Sequence, residues 1–156
     1  SGNRIDQLNE PVAVLIDQVR RRLIISEHGN RRVVCRSLYQ QRANGGAGEV
    51  ILSNILSLGL AMDDQGSFYV SDMEKDEVRR YDLGNESDGV IVAGGNGRGA
   101  ALNQLSDPRQ IFVAADRSVY VSDTNNHRVV KWTSGAKEGV VVAGGQGQGD
   151  SLGQLH

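Results

Sequence analysis

Short apolar runs, each bounded by polar turn residues, recur along the chain at intervals of about fifty residues. Three of these runs close at Ser26, Ser71 and Ser122, and each serine is followed by Asp or Glu. Runs rich in Val, Ile, Tyr and Phe that are flanked by Asp, Asn, Gly and Ser are typical of β-strands joined by turns. No stretch keeps a 3.6-residue apolar period, so the pattern predicts strands and no helix.

A glycine-rich motif fixes the phase of this repeat. Residues 94–99 are followed by a Leu-x-Gln-Leu pattern at 102–105, and residues 144–149 are followed by the same pattern at 152–155. The end of the motif also stands at the N-terminus, as Gly2, Ile5, Gln7 and Leu8. The chain is therefore divided into three units within one domain, at about residues 1–54, 55–101 and 102–151, with residues 152–156 as the start of a further repeat.

Each unit is predicted to form four short strands. In the first unit these are residues 12–17, 22–27, 31–37 and 49–54; in the second, 59–63, 67–72, 77–82 and 89–94; in the third, 110–115, 118–123, 128–133 and 139–145. A four-stranded unit of this length is a propeller blade, whose apolar faces become buried when blades stack around an axis. The sequence predicts an all-β fold, a β-propeller segment of three blades.

Residues 108–132 resemble an NHL repeat. A proline leads into an apolar strand, a second strand ends in Ser-Asp, and Asn126-His127-Arg128 stands where that family has Asn-His-Leu. The corresponding residues are Pro11 and Asn30-Arg31-Arg32 in the first unit, and Gly59 and Lys75-Asp76-Glu77 in the second. The second unit thus departs from the signature. The resemblance implies a β-propeller, most often of six blades, that serves mainly as a binding scaffold.

Three blades are too few to close a ring, because known propellers start at about four blades. An open arc would leave an apolar blade face bare at each end. Two copies related by a two-fold axis would cover both faces, and this is the commonest oligomer symmetry. We therefore expect a homodimer that completes a six-bladed ring. The alternative is that the missing blades belong to a longer parent chain.

The turns between the second and third strands are the candidate sites for a protein or peptide partner. They lie on one face of the predicted propeller, and they differ between units while the strands resemble one another. Variable loops on a rigid scaffold are where binding usually resides. The candidate residues are His28, Asn30, Arg31, Met73, Glu74, Asp76, Thr124, Asn125 and His127.

RNA binding through the first blade is the alternative function, because some NHL domains bind single-stranded RNA. Its candidate residues are Arg20, Arg21, Arg22, Arg31 and Arg32. Two observations disfavour a nucleic-acid partner. These arginines fall at opposite ends of the second predicted strand, and the acidic second unit would repel phosphate. The whole chain, with 17 basic and 19 acidic residues, also lacks the basic excess of most nucleic-acid binders.

The sequence offers little support for catalysis, and the prediction is that the chain is not an enzyme and needs no cofactor or metal. A single cysteine, Cys35, excludes a cysteine-based zinc site and an intrachain disulfide. The histidines His28, His127 and His156 share no position in the repeat, so a symmetric metal site is not predicted. A metal-dependent lyase or hydrolase is kept as a second alternative. No apolar run is long enough to span a bilayer, so no membrane contact is expected.

Overall fold

Three antiparallel sheets, each of four strands, make up the computed structural model, which describes residues 2, 4–39, 48–82, 84–151 and 153–155. Blade 1 contains β1 (Pro11–Asp17), β2 (Arg22–Glu27), β3 (Arg32–Ser37) and β4 (Glu49–Ser53). Blade 2 contains β5 (Leu60–Met62), β6 (Ser67–Asp72), β7 (Glu77–Asp82) and β8 (Asn85–Gly94). Blade 3 contains β9 (Pro108–Val113), β10 (Val119–Asp123), β11 (Arg128–Trp132) and β12 (Val140–Gly144). In every sheet, strands adjacent in sequence are adjacent in space.

Aspartates organise the turn between the first and second strand of each blade. The side chain of Asp17 accepts a hydrogen bond from the backbone N–H of Arg20, and Asp63 accepts one from Ser67, both at 2.9 Å. In blade 3, Asp116 accepts one from the N–H of Ser118, also at 2.9 Å. A short acidic side chain that accepts a hydrogen bond from a nearby backbone N–H stabilises a tight turn, and such turns connect consecutive antiparallel strands.

The predicted all-β architecture of three blades is confirmed. Several strand ends differ from the prediction by one or two residues, as in β9, which begins and ends two residues earlier than predicted. Strand β8 begins at Asn85, four residues before the predicted start at residue 89. The segment Thr124–Asn126 forms one turn of 3₁₀-helix, which ends at His127 in the left-handed conformation (φ 49°). The segments described contain no α-helix, as predicted, and this single 3₁₀ turn forms because it needs no apolar periodicity. No helix among the described residues is long and apolar enough to cross a membrane.

The hydrophobic core lies between blades rather than within one. Between blades 1 and 2, fully buried Ile24 and Val33 pack with Phe68, whose ring stacks on Tyr81 at a centroid distance of 5.3 Å. Between blades 2 and 3 the buried residues include Tyr69, Val78, Val121, Val130 and Trp132. Each blade therefore depends on its neighbours for the burial of its apolar faces.

The recurring serines tie each blade to the next. The hydroxyl of Ser26 donates to the carbonyl of Ser57 at 2.9 Å, and that of Ser71 donates to the carbonyl of Arg109 at 2.7 Å. Both serines are buried. Ser122 has no following blade in this chain; it is half-buried and donates to the carbonyl of Gln110 in its own blade at 3.1 Å. The same side chain thus marks the position that a further blade would occupy.

Candidate functional site

Three side chains of blade 3 hold the long linker that joins blade 2 to blade 3. Asp123 accepts a hydrogen bond from the N–H of Ser106 at 2.7 Å, and Asn126 donates to the carbonyl of Gly99 at 2.9 Å. Arg128 donates to Asp123 at 2.7 Å and to the linker carbonyls of Ala100, Ala101 and Gln104 at 2.7–3.2 Å. We call Asp123, Asn126 and Arg128 the latch of blade 3.

Blade 1 has a latch of the same construction, formed by Glu27, Asn30 and Arg32. Glu27 accepts from the N–H of Asn9 at 2.9 Å and is paired with Arg32. Asn30 donates to the carbonyl of Gly2 at 2.8 Å. Arg32 donates to the carbonyls of Arg4 and Gln7 at 3.0 and 3.1 Å. These are the repeat equivalents of the atoms held by blade 3, so the two latches recognise the same backbone shape.

Hydrogen bonding determines the charge state of the blade 1 latch. Burial alone raises the pKa of Glu27, but hydrogen bonds from Arg32, Asn9 and Asn30 lower it more, so the pKa lies below its ordinary value of 4.5. A fully buried carboxylate is tolerated only when it is paired and hydrogen-bonded in this way. The ion pair with the buried carboxylate of Glu27 therefore holds the guanidinium of Arg32 in place as it donates to the carbonyls of Arg4 and Gln7.

Blade 2 lacks a latch, in keeping with its departure from the signature. Glu77 stands at the position of the arginine and pairs with Arg79 at 2.6 Å, and Lys75 pairs with Asp72 at 3.3 Å. The linker before this blade is short, since β4 ends at Ser53 and β5 begins at Leu60. There is consequently no glycine-rich linker for a latch to hold at this junction.

Asp76, one of the candidate partner-binding residues, instead holds the linker that leaves blade 2. This buried carboxylate accepts from Arg98 at 3.0 Å and from the N–H of Asp107 at 3.0 Å. The carbonyl of Asp76 also accepts from the N–H of Gly95 at 3.1 Å. The linker between blades 2 and 3 is therefore held from both sides.

The other candidate partner-binding residues lie at the same junctions. Arg31 and Glu74 form an exposed ion pair between blades 1 and 2, which raises the pKa of Arg31 and lowers that of Glu74 by hydrogen bonding. His28 lies 3.2 Å from Glu10, and Asn125 donates to Ser106 at 3.4 Å. The backbone N–H of Met73 reaches back to Leu56, and Thr124 and His127 bound the 3₁₀ turn. The structure brings Arg31 and Glu74 together and spreads the others over three turns.

The arginines proposed for RNA binding are divided between two ends of β2, as the sequence predicts. Arg20 pairs with Asp17 at 3.4 Å, and Arg21 lies over the Tyr39 ring at 4.9 Å. Arg22 is the first residue of β2 and lies beside the thiol of Cys35. Burial raises the pKa of that thiol, and the hydrogen bond with Arg22 lowers it by less. The remaining two, Arg31 and Arg32, are paired with Glu74 and Glu27. Four of these five cations thus contact an acid or a ring.

No three His, Cys, Asp or Glu side chains among the described residues lie close enough together to hold a metal ion. His28 and His127 occupy turns of different blades, and His156 lies outside the described residues.

The two outer faces of the arc carry exposed apolar side chains. On blade 1, Val12, Val14 and Ile16 project from one face of β1 and are 41%, 60% and 57% exposed. With Leu8, Pro11, Ala13 and Ile25, Val12 and Val14 line a depression of about 320 Å³. We call this surface the leading flank.

The trailing flank is the outer face of blade 3. Phe112 is 65% exposed and lies 6.3 Å from the half-buried Tyr120 ring, which Lys131 covers at 5.5 Å. The cross-strand register continues the row from Lys131 to Val140, which is 64% exposed. Aromatic side chains are enriched at the buried centres of protein interfaces.

Repeat equivalence shows what these flanks are. Tyr120 corresponds to Ile24 and Tyr69, both of which are buried against the following blade. Likewise Val14 corresponds to Leu60, which is buried against the preceding blade. The two flanks are thus equivalent to the blade faces that are buried at the internal junctions, but in this chain they are exposed to solvent.

Comparison with solved structures identifies the class of protein. A gluconolactonase from Xanthomonas campestris matches with a TM-score of 0.70 and 17% identity, over 90% of this chain and 52% of that one. A chain of the nidogen–laminin complex matches with a TM-score of 0.66 and 14% identity, over 85% of this chain and 46% of that one. An auxiliary nutrient-binding protein from Bacteroides thetaiotaomicron also matches at 0.66 and 14% identity, over 92% and 34%.

The chain is a β-propeller segment that spans about half the length, or less, of these solved structures. No protein-family model matches the chain, and no curated protein matches its sequence. The propeller fold is confirmed, whereas the finer NHL resemblance remains a prediction.

The comparisons overturn the prediction that the chain is not an enzyme. The similar structures include the Xanthomonas gluconolactonase and a second protein proposed to be a gluconolactonase, which matches with a TM-score of 0.64. The sequence argument failed because it inferred an absence of activity from the absence of recognised catalytic and metal-binding patterns, such as the positions of the histidines and the single cysteine. At 14–17% identity, the likeness shows a shared fold.

Sequence reasoning missed the latches, and it predicted a bare apolar face at each end of the arc without naming the residues of the flanks. The signal for the latches was present as an acid, an asparagine three residues later and an arginine two residues after that, at Glu27 and again at Asp123. The flanks carry no such signal, because Tyr120 stands at a repeat position that is buried in the other two blades.

Proposed function

We propose that this chain is an interaction module of the NHL type whose leading and trailing flanks bind a second copy. Two copies then complete a six-bladed ring, and the turns on one face of that ring bind a protein or peptide. The observation that carries the proposal is the pair of open flanks. Each is the repeat equivalent of a blade face that is buried at the two junctions within the chain.

The two flanks are complementary in kind. The internal junctions place Leu15 or Ala61 of one blade against the face of the next, and Phe112 occupies the equivalent position on the trailing flank. In a ring, Phe112 would face the depression beside Val14 in the second copy. Burial of such apolar surface is worth roughly 25 cal/mol per Å² before the cost of association.

The face that carries the candidate turns supplies the proposed second binding surface. In the ring, His28, Arg31, Glu74, Thr124 and Asn125 of both copies would lie on one side. The match to a chain of the nidogen–laminin complex supports a role of this fold in protein recognition. A rigid ring with differing turns suits recognition of a folded protein or a peptide.

The test is the mass of the purified 16.8-kDa chain in solution, measured by sedimentation equilibrium over a range of concentrations. We expect a dimer for the wild type and a monomer for Phe112→Asp and for Val14→Asp. The matched control is Val19→Asp, because Val19 is 89% exposed in the turn between β1 and β2 and lies off both flanks. A monomeric wild type at tens of micromolar, or equal dissociation of the Val19 variant, refutes ring completion.

Lactone hydrolysis is the second candidate function, favoured by the two similar structures that bear the name gluconolactonase. The assay is acid release from gluconolactone at constant pH, with and without added divalent cations. A rate above the spontaneous one that is proportional to protein concentration supports this function. The same rate in a heat-denatured control attributes the signal to the lactone itself.

A further inference from the structure

The two ends of the described chain present the same structural segment twice. The N-terminal segment (Gly2 and residues 4–8) is the repeat equivalent of residues 99–105 in the linker between blades 2 and 3. The C-terminal segment (residues 149–151 and 153–155) is equivalent as well, since it carries Gly149, Gln154 and Leu155 where the N-terminal segment carries Gly2, Gln7 and Leu8. Each end therefore contains a copy of the linker segment, whereas the junction between blades 2 and 3 contains one such segment.

The linker between blades 2 and 3 shows what a complete junction requires. From blade 2, Asp76 binds Arg98 and the N–H groups of Gly95 and Asp107. From blade 3, the latch binds the carbonyls of the same linker. Leu105, between these two sets of contacts, is fully buried.

The N-terminal segment has the latch contacts, and the C-terminal segment has part of the contacts of the other side. The N-terminal segment is bound by the latch of blade 1. Blade 3 contacts the residues that lead into the C-terminal segment, since the N–H of Gly145 donates to the carbonyl of His127 at 2.9 Å. Within this stretch Gln148 bridges to Leu155, as Arg98 bridges to Leu105 in the internal linker. Leu8 and Leu155 are only half-buried, unlike Leu105.

We infer that ring completion exchanges these segments: the C-terminal segment of one copy enters the blade 1 latch of the second copy and displaces the N-terminal segment there. This inference rests on the proposed function, because the two segments meet only if the trailing flank of one copy covers the leading flank of the other. Both cannot occupy one junction, since each corresponds to the same linker residues.

The contacts favour the C-terminal segment at that junction. It is attached to blade 3 and has one contact of that side, the hydrogen bond from the Gly145 N–H to the His127 carbonyl, so entering the latch adds the second set of contacts seen at residues 99–105. The N-terminal segment has the latch contacts alone. The latch binds backbone carbonyls, so the different side chains at positions such as Arg4 and Ser151 do not prevent the exchange. Exchange of an identical element between copies is a low-cost route to a dimer.

Two equivalent leucines give opposite results if the exchange occurs. Leu8→Ala weakens the segment that must leave, so the dimer should tighten by roughly tenfold. Leu155→Ala weakens the segment that must enter, so the dimer should loosen by roughly tenfold, each leucine losing part of the apolar burial of a core leucine. Both variants are measured as full-length chains by sedimentation equilibrium, with circular dichroism to confirm that each is folded. Changes of the same sign, or no change in either, overturn the exchange while leaving ring completion intact.

A second measurement tests the central step of the exchange separately from self-association, namely whether the blade 1 latch binds the C-terminal segment. A synthetic peptide of residues 144–156 is titrated into the ¹⁵N-labelled Leu8→Ala chain, and the amide signals of residues 27–32 are followed. The N-terminal segment of the same chain competes with the peptide for the latch at an effective concentration of about millimolar, so the titration extends to several millimolar peptide. Saturable shifts that are lost with the Leu155→Ala peptide support the exchange; their absence overturns it.

Discussion

Replacing Arg128 by alanine removes the centre of the blade 3 latch and should destabilise the fold severely. The guanidinium is buried, pairs with the fully buried Asp123 and donates to three linker carbonyls. Its loss leaves the carboxylate of Asp123 without a counter-ion in the protein interior. Breaking a buried ion pair from one side costs about 3–5 kcal/mol.

That loss is a large part of the roughly 5–15 kcal/mol by which most domains are stable. For a chain of this size it corresponds to a fall in melting temperature of about 6–20 °C. Urea unfolding and thermal melts, followed by circular dichroism at one fixed protein concentration, measure the change.

Arg109→Ala is the matched control. The side chain of Arg109 is 47% exposed and pairs with Asp107 at 2.9 Å, and ion pairs at the surface are worth about 0–1 kcal/mol. A loss for Arg128→Ala no greater than that of the control would refute the view that the latch secures the junction.

Three further predictions concern the interior. Because the pKa of Glu27 is lower in the folded chain, its ionisation stabilises the fold fully above pH 4.5, and this contribution is lost as the pH falls through the folded-state pKa. In Glu27→Gln, the free energy of unfolding should therefore fall less steeply with decreasing pH in this acidic range. Gly59→Ala would place a Cβ 2.1 Å from the carbonyl oxygen of Arg109, so urea unfolding should show a loss of about 1–3 kcal/mol; an unchanged midpoint contradicts this. Burial and the hydrogen bond to Asp63 raise the pKa of Tyr69 to about 12, so the free energy of unfolding should fall between pH 10 and pH 12. The titration of Tyr69 is measured as the difference in tyrosinate absorbance between the wild type and Tyr69→Phe, and it should occur near pH 12.

Much of the fold was readable from the sequence because each blade repeats the same local chemistry. Ser26, Ser71 and Ser122 marked the ends of the second strands, and in the structure those strands end one residue later. Strand β8 was predicted too short because residues 85–88 are polar and turn-like, whereas cross-strand pairing of Asn85 with Asp82 extends the hairpin. Pairing with a neighbour outweighed local propensity there.

The functional surfaces were less accessible to sequence reasoning because they depend on contacts distant along the chain. Asn126 looked like a turn residue, but its amide reaches Gly99 in the preceding linker. Arg32 looked like part of a basic patch, but it is buried against Glu27. Phe112 lies within a predicted apolar strand of the third unit, and nothing local in the sequence shows that it is 65% exposed on the trailing flank.

The absence of a latch in blade 2 has a consequence for how the chain comes apart. Blades 1 and 3 each hold the segment that precedes them with a latch. The middle blade is joined to its neighbours by its buried apolar faces, by the hydroxyls of Ser26 and Ser71, and by Asp76 on the linker that leaves it. Under mechanical force or limited proteolysis, the middle unit should never survive alone as a folded intermediate. A surviving fragment should instead keep at least one of its neighbours, so the cooperative unit of unfolding is larger than a single repeat.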